Sequence, residues 1–342
     1  MNQKYILGVD IGGTWIRAAL CSQELKNKQI KIKIIKTLKK NKFSISKSVN
    51  QLLTELLNEN NIKREQVIGI GLACAGPLDI KKGESFNNPN LGFKIIPLKK
   101  PIQENFPDIP LYLINDCNGA VLGIHYFEAK SDEKDNLVYI SMSTGIGGGV
   151  ICNGHLLFGK DGNAAEVGHS LVDPKSVFKC NCGAYGCWEV YSSGSGVKMR
   201  TIKALRESEL KAEILMNIIN NDISKITAKE VFQAARKGDE LSKKIVDECI
   251  FYSKVGIGLI NNYYDVSTIY LGGSMLKDKE QIFPPLVKQF KNDPIKFTIN
   301  HPPKIKITKL GDEVGLRGAL TLVKYNLVKD PTLDLFLENQ YQ

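Results

Sequence analysis

Long apolar runs are missing from this chain. The longest are a few residues, far short of the ~20 needed to cross a bilayer, so no membrane-spanning segment is expected. No signal-peptide layout opens the sequence, because Tyr5-Ile6-Leu7-Gly8-Val9 already reads as a strand. A cytoplasmic protein is the expectation. Arginine is scarce, with six (17, 64, 200, 206, 236 and 317) among 46 basic residues. The net charge of +10 is therefore carried by scattered lysines, as in KIKIIKTLKKNK, without interleaved aromatics. Nucleic-acid readers favour arginine for its bidentate fork. A solvated surface with a modest attraction for anionic substrates fits better. Serine- or glycine-rich linkers are absent, and so is the Walker pattern GxxxxGK[ST], which argues against a P-loop enzyme. The eight cysteines (21, 74, 117, 152, 180, 182, 187 and 249) are too sparse for a secreted disulfide framework.

What is present is enough for two packed domains of ordinary size: 342 residues, 43% hydrophobic and 24% charged. Strands are expected at 4–10, 15–20 and 29–38, then a helix over 44–60 with apolar residues at Val49, Leu52, Leu53, Leu56 and Leu57. A strand at 67–73 leads into Cys74-Ala75-Gly76-Pro77. Residues 78–100 read as a loop, followed by a strand at 111–114 and a helix from Asn118 to Phe127. Strands recur at 136–142, 147–152 and 155–158. Helical patterns follow at 190–216, 227–237 and 240–262, a strand at 268–272, a helix near 280–291, a strand at 304–308 and a helix over 313–328. Each half places a glycine turn after its first strand, DIGGT and STGIGGG, a weak internal repeat of two similar α/β domains facing each other across a cleft.

The chemistry-bearing residues gather around those turns. In DIGGT, Gly12, Gly13 and Thr14 let backbone amides approach phosphate, and Asp10 suits a hydrated Mg²⁺; the alternative is an ordinary hairpin turn. Thr144 and Gly145 of the second turn complete a pair that can clasp one triphosphate. Asp116 stands at the carboxyl end of a strand, where open α/β sheets put chemistry. It can take the proton of an attacking hydroxyl or cap the following helix. Glu166, His169 and Glu189 are polar groups suited to a polyol, or plain surface charges. Cys180-x-Cys182-x₄-Cys187 places three thiols within eight residues, and His169 is eleven residues upstream of Cys180. Three thiolates and an imidazole saturate tetrahedral Zn²⁺, which makes the expected ion structural. Gly272-Gly273 after Thr268–Leu271 fits either a flat adenosine against the backbone or a strand-to-helix turn.

With these residues in place the chain resembles the ROK family of repressors, open reading frames and kinases, specifically its ATP-dependent sugar kinases. The resemblance runs from about Leu7 to Leu320. It rests on LGVDIGGT, GLACAGPLD, NNPNLGF, INDCNGA, STGIGGG, AAEVGH, CNCGAYGCWE and YLGGSM. It implies an actin-like, hexokinase-like ATPase fold built on ribonuclease H-like repeats, with an interdomain cleft. A small domain over 1–120, on which the 313–328 helix docks, and a larger domain over 121–330 with the zinc loop would precede a tail at 331–342. Carried over by position, Asp116 is the general base and Asn115 its sugar-binding neighbour. Glu166, His169 and Glu189 hold sugar hydroxyls, with Gly76 and Asn90 lining the same pocket. Asp10, Gly12, Gly13, Thr14, Thr144, Gly145, Gly272 and Gly273 clasp the nucleotide, and His169 serves zinc and sugar together. Departures are small: Cys117 and Gly119-Ala120 replace alanines, LGGSM has two glycines where three are common, and Asn163-Ala164-Ala165 replaces a glycine.

The resemblance implies transfer of the ATP γ-phosphoryl group to the 6-hydroxyl of a hexose, foremost glucose. The alternative acceptors are N-acetylmannosamine and N-acetylglucosamine. The cofactors expected are ATP, Mg²⁺ and structural Zn²⁺, and the partners a sugar and MgATP, with room for a homo-oligomer and no nucleic acid or membrane. A sugar-responsive repressor needs a helix-turn-helix ahead of DIGGT, which begins at residue 10, so a repressor is not expected. A catalytically dead sensor is disfavoured by the retained Asp10, Asp116 and both turns.

Overall fold

A computed structural model describes residues 3–26, 29–88, 91–207, 209–292, 298–299 and 301–327. Asn90, and the tail at 331–342, lie outside the described residues. The first sheet is built from β1 (Tyr5–Ile11), β2 (Trp15–Ser22), β3 (Lys31–Lys36), β4 (Val67–Cys74) and β8 (Leu111–Asn115), in the order β3-β2-β1-β4-β8. The pairs β1/β2 and β2/β3 are antiparallel, and β1/β4 and β4/β8 are parallel. The buried, near-continuous apolar runs of β1 and β4 are what central strands covered on both faces require.

Between β4 and β8 lies the segment 78–100 expected as loop. The helix α1 (Ser44–Glu59) precedes β4, and after it come β5 (Leu78–Asp79), β6 (Glu84–Phe86), β7 (Ile95–Pro97) and α2 (Lys99–Asn105). The three strands form an antiparallel sheet of their own. Strands of two or three residues are too short to show an alternating pattern, so the sequence reads there as loop.

The second sheet has the order β11-β10-β9-β12-β13, from β9 (Leu137–Met142), β10 (Ile146–Cys152), β11 (His155–Leu156), β12 (Thr268–Gly272) and β13 (Lys304–Ile307). In each sheet the strands taken in chain order stand third, second, first, fourth, fifth. The duplicated glycine turns therefore sit on a duplicated topology. The helices are α3 (Asp116–Phe127), α4 (Trp188–Ser192), α5 (Gly194–Glu207), α6 (Glu213–Ile218), α7 (Ala228–Arg236), α8 (Glu240–Tyr264), α9 (Lys279–Asn292) and α10 (Val314–Leu327). The single helical pattern read over 190–216 is three helices, and Ser193, extended at the end of α4, separates the first two.

The chain divides into two compact units. One holds the described residues of Met1–Leu137, Gly149–Ala165 and Thr308–Gln342, and the other those of Val138–Gly148 and Glu166–Ile307. Residue 120, the boundary expected from sequence, falls inside α3. Within the first unit α10 packs on α3, β1 and β4. That approach depends on Gly71: a Cβ there would lie 1.9 Å from the Ala319 carbonyl oxygen. Gly71→Ala must push helix from sheet and is expected to cost about 3 kcal/mol or more of unfolding free energy, the upper range for overpacking. Urea denaturation of the two proteins side by side measures it.

Candidate functional site

The first unit carries a carboxylate site at the ends of its strands. Asp10 is the sixth residue of β1, and the β1/β2 register sets it opposite Arg17. The Arg17 Nη1 lies 3.4 Å from the Asp10 Oδ2. Hairpin pairing across Gly12–Thr14 would have found Arg17 from sequence, but no motif announced it. Burial raises the Asp10 pKa to about 7; Arg17 opposes that rise, and the charges of Asp116 and Asp312 add to it. A cation is what would satisfy this carboxyl in its ionised form. The N-terminal end of α10 comes close as well, since a Cβ on Gly315 would lie 2.9 Å from the Asp10 Oδ1.

The turn after Asp10 is held by Gly12 N donating to the Trp15 carbonyl at 3.0 Å, with the Thr37 hydroxyl donating to the Gly12 carbonyl at 2.7 Å. Among the described residues the amides of Gly13 and Thr14 have no protein acceptor. They are free for a phosphate oxygen.

Asp116 is the first residue of α3, two residues earlier than the helix start read from sequence. Asn115 is the cap: its Oδ1 accepts from Cys117 N at 2.9 Å and Asn118 N at 3.3 Å. Capping the helix is thus Asn115's work, while the Asp116 Oδ1 accepts from the Cys117 amide at 2.8 Å. Burial pushes the Asp116 pKa up. Gly76 lies beyond β4 in the turn that leads to β5, joined to Pro77 by a cis bond.

In the second unit the ring of His169 and the sulfurs of Cys180, Cys182 and Cys187 converge, their ligand atoms all within 4.8 Å of one another. The Cys182 and Cys187 sulfurs are 3.7 Å apart, and the Cys180 sulfur is 3.6 Å from the His169 Nδ1. A tetrahedron with Zn–S of about 2.3 Å and Zn–N of about 2.05 Å has edges of about 3.8 and 3.6 Å, so the donor set fits zinc. Burial pushes the Cys180 and Cys187 thiols up, and a bound dication is what would make thiolates of them. The other ring nitrogen of His169, Nε2, lies 4.0 Å from the Glu166 Oε2. One imidazole therefore has a metal-facing side and a side shared with Glu166.

Glu189 follows directly from this cluster. Cys187 precedes the fully buried Trp188, which starts α4 and fixes the next residue. The Glu189 Oε2 accepts from the Ile146 amide at 2.9 Å. The approach is close enough that a Cβ on Gly145 would lie 2.4 Å from that oxygen. The residue read from sequence as a polyol contact thus also braces the second glycine turn. In that turn Ser143 N donates to the Gly145 carbonyl at 2.9 Å and the Thr144 carbonyl accepts from the Ser195 hydroxyl at 2.6 Å. The Thr144 and Gly145 amides have no protein acceptor among the described residues. Gly272 and Gly273 sit against β9, where side chains at either position would strike Tyr139 or Met142, and Gly273 has φ of 101°.

The family model described as the ROK family matches residues 6–326. A glucokinase of Halalkalibacterium halodurans is 28% identical over 327 residues, covering 95% of this chain and 96% of its own length. The xylose repressor of Bacillus subtilis is 29% identical over 283 residues, 81% of this chain and 66% of the repressor. The crystal structure of a ROK family glucokinase from Streptomyces griseus, in complex with glucose and AMPPNP, superposes with a TM-score of 0.73 at 28% identity, covering 93% of this chain and 98% of that one. The two five-stranded sheets are those of the actin-like ATPase fold.

Proposed function

This chain belongs to the ROK family, and from that premise we propose that it transfers the γ-phosphoryl group of ATP to the 6-hydroxyl of a hexose, glucose foremost. The observation that carries the reading is the pair of burial-raised carboxylates, Asp10 and Asp116, in one unit beside a turn with free amides. Phosphoryl transfer through a loose transition state asks the protein mainly for positioning and charge stabilisation.

In this reading Asp116 accepts the proton of the attacking hydroxyl. Its Oδ1 is held by the Cys117 amide. Burial makes it a stronger base than an exposed aspartate. Asp10 holds magnesium, directly or through water, as a site with one or two carboxylates plus substrate phosphates does. Magnesium, when bound, neutralises charge on the phosphate oxygens. The free amides of Gly13, Thr14, Thr144 and Gly145 donate to those oxygens, and Asn115, Glu166, His169 and Glu189 bind sugar hydroxyls. His169, Cys180, Cys182 and Cys187 hold a structural zinc, whose four protein ligands leave no open position for chemistry.

The name of the Halalkalibacterium halodurans glucokinase and the glucose in the Streptomyces griseus complex support glucose as acceptor. A coupled ADP assay with MgATP and a panel of glucose, mannose, fructose, N-acetylglucosamine and N-acetylmannosamine tests both halves of the proposal. Glucose-dependent ADP formation with glucose 6-phosphate as product is expected. Turnover only with an N-acetylhexosamine would reassign the acceptor. Sugar binding without ADP formation from any member would replace the kinase by a sensor.

A further inference from the structure

Asp173 lies between His169 and Cys180 yet is not one of the four converging ligands. Its Oδ2 accepts from two tyrosine hydroxyls, Tyr191 of α4 at 2.5 Å and Tyr252 of α8 at 3.3 Å. Its Oδ1 accepts from the Lys175 amide at 3.0 Å. The two tyrosine rings stack at 3.7 Å, Phe178 meets Tyr191 edge-on at 5.8 Å, and this cluster packs directly on Cys180 and Cys187. The backbone around Asp173 is laddered to the far end of the cysteine loop. Val172 N donates to the Gly186 carbonyl at 2.9 Å, and Trp188 N to the Ser170 carbonyl at 2.9 Å.

We infer that Asp173 is a metal-independent anchor of the cysteine loop, a positioning residue that slows zinc loss and keeps Glu189 placed. The inference rests on the reading that His169 and the three cysteines hold zinc. Zinc leaves such a site only as its ligands swing away one after another. A loop tied through Asp173 to α4 and to α8 has little room to swing. Two hydroxyls and an amide on one carboxylate make charge-assisted bonds, stronger than neutral pairs. The arrangement is the outer support that metal sites rely on, one step further from the ion than a direct partner of a ligand.

Three variants separate this role from a general contribution to folding: Asp173→Ala, Tyr252→Phe and Tyr191→Phe. The phenylalanines keep the stacked rings and remove only the hydroxyls. Zinc release from the full-length protein to a chromogenic chelator is expected to be about tenfold faster in Asp173→Ala, the lower range for loss of a supporting contact, and accelerated less in each phenylalanine variant. The KM for ATP should stay within about twofold while the KM for sugar rises, a split that global destabilisation would not produce. Release within twofold of the parent in all three would overturn the inference. Hydrogen exchange of the 170–188 amides in metal-stripped protein is the second measurement, and it does not depend on zinc. Protection should be present in the parent and lost in Asp173→Ala. A parent that carries no zinc would refute the metal reading, whereas unchanged protection in Asp173→Ala would refute the anchor.

Discussion

Replacing Asp116 by asparagine is expected to lower kcat by about three orders of magnitude, within the range for loss of a general acid–base group, while glucose affinity changes by less than about threefold. The substitution is quiet for the fold, because Asn115 caps α3 by itself. An asparagine carbonyl can also still accept from the Cys117 amide, as the aspartate Oδ1 does at 2.8 Å. What disappears is the basic oxygen. Steady-state kinetics with calorimetric glucose binding checks the split, and a variant turning over at near-parent rates would remove Asp116 from the chemistry. Because burial raises the Asp116 pKa, kcat should begin to fall with acid at higher pH than an exposed aspartate would give.

Asp10→Asn should abolish turnover with MgATP and yet stabilise the ligand-free protein above neutral pH. Burial pushes the Asp10 pKa in the folded protein up to about 7 from its ordinary 3.8. The folded state therefore holds this proton more tightly than the unfolded chain. Stability from this group is fully present below about pH 4 and is lost as pH rises towards and through 7. Ionising a carboxyl so displaced costs at most about 4 kcal/mol. The amide avoids that cost but leaves Arg17 without its partner, so the net gain at pH 8 is expected to be on the order of 2 kcal/mol. Thermal melts of both proteins at pH 5 and pH 8 in magnesium-free buffer read it directly. Convergence of the two curves at pH 5 and separation at pH 8 is the expected pattern. Magnesium should close the gap by stabilising only the parent, since the ion supplies the positive charge that the ionised carboxyl lacks.

The site was legible where its parts are close in sequence. Cys180, Cys182 and Cys187 must lie near one another in any fold, and their thiols converge with the His169 ring as the spacing predicted. The glycine turns after β1 and β9 were legible because a strand followed by glycines and a strand is a local pattern. Arg17 went unnoticed although it faces Asp10 across a hairpin, because pairing register is a two-strand property that a single-strand reading does not count. Asp173 belongs to no local motif, since its partners Tyr191 and Tyr252 stand 18 and 79 residues away.

What the sequence by itself determined is the glycine turns, their repetition and the clustering of the three cysteines, each a pattern of residues a few positions apart. Tertiary structure decided which charges share a neighbourhood. Asp312 and the α10 end reach Asp10 only because α10, some 300 residues later, returns to β1 and β4 over glycines such as Gly71. Likewise Glu189 meets the Ile146 amide only because Trp188 is buried and α4 is fixed beside the second turn. Periodicity and spacing carry no record of such approaches, since each depends on two surfaces fitting closely enough to exclude even a methyl group.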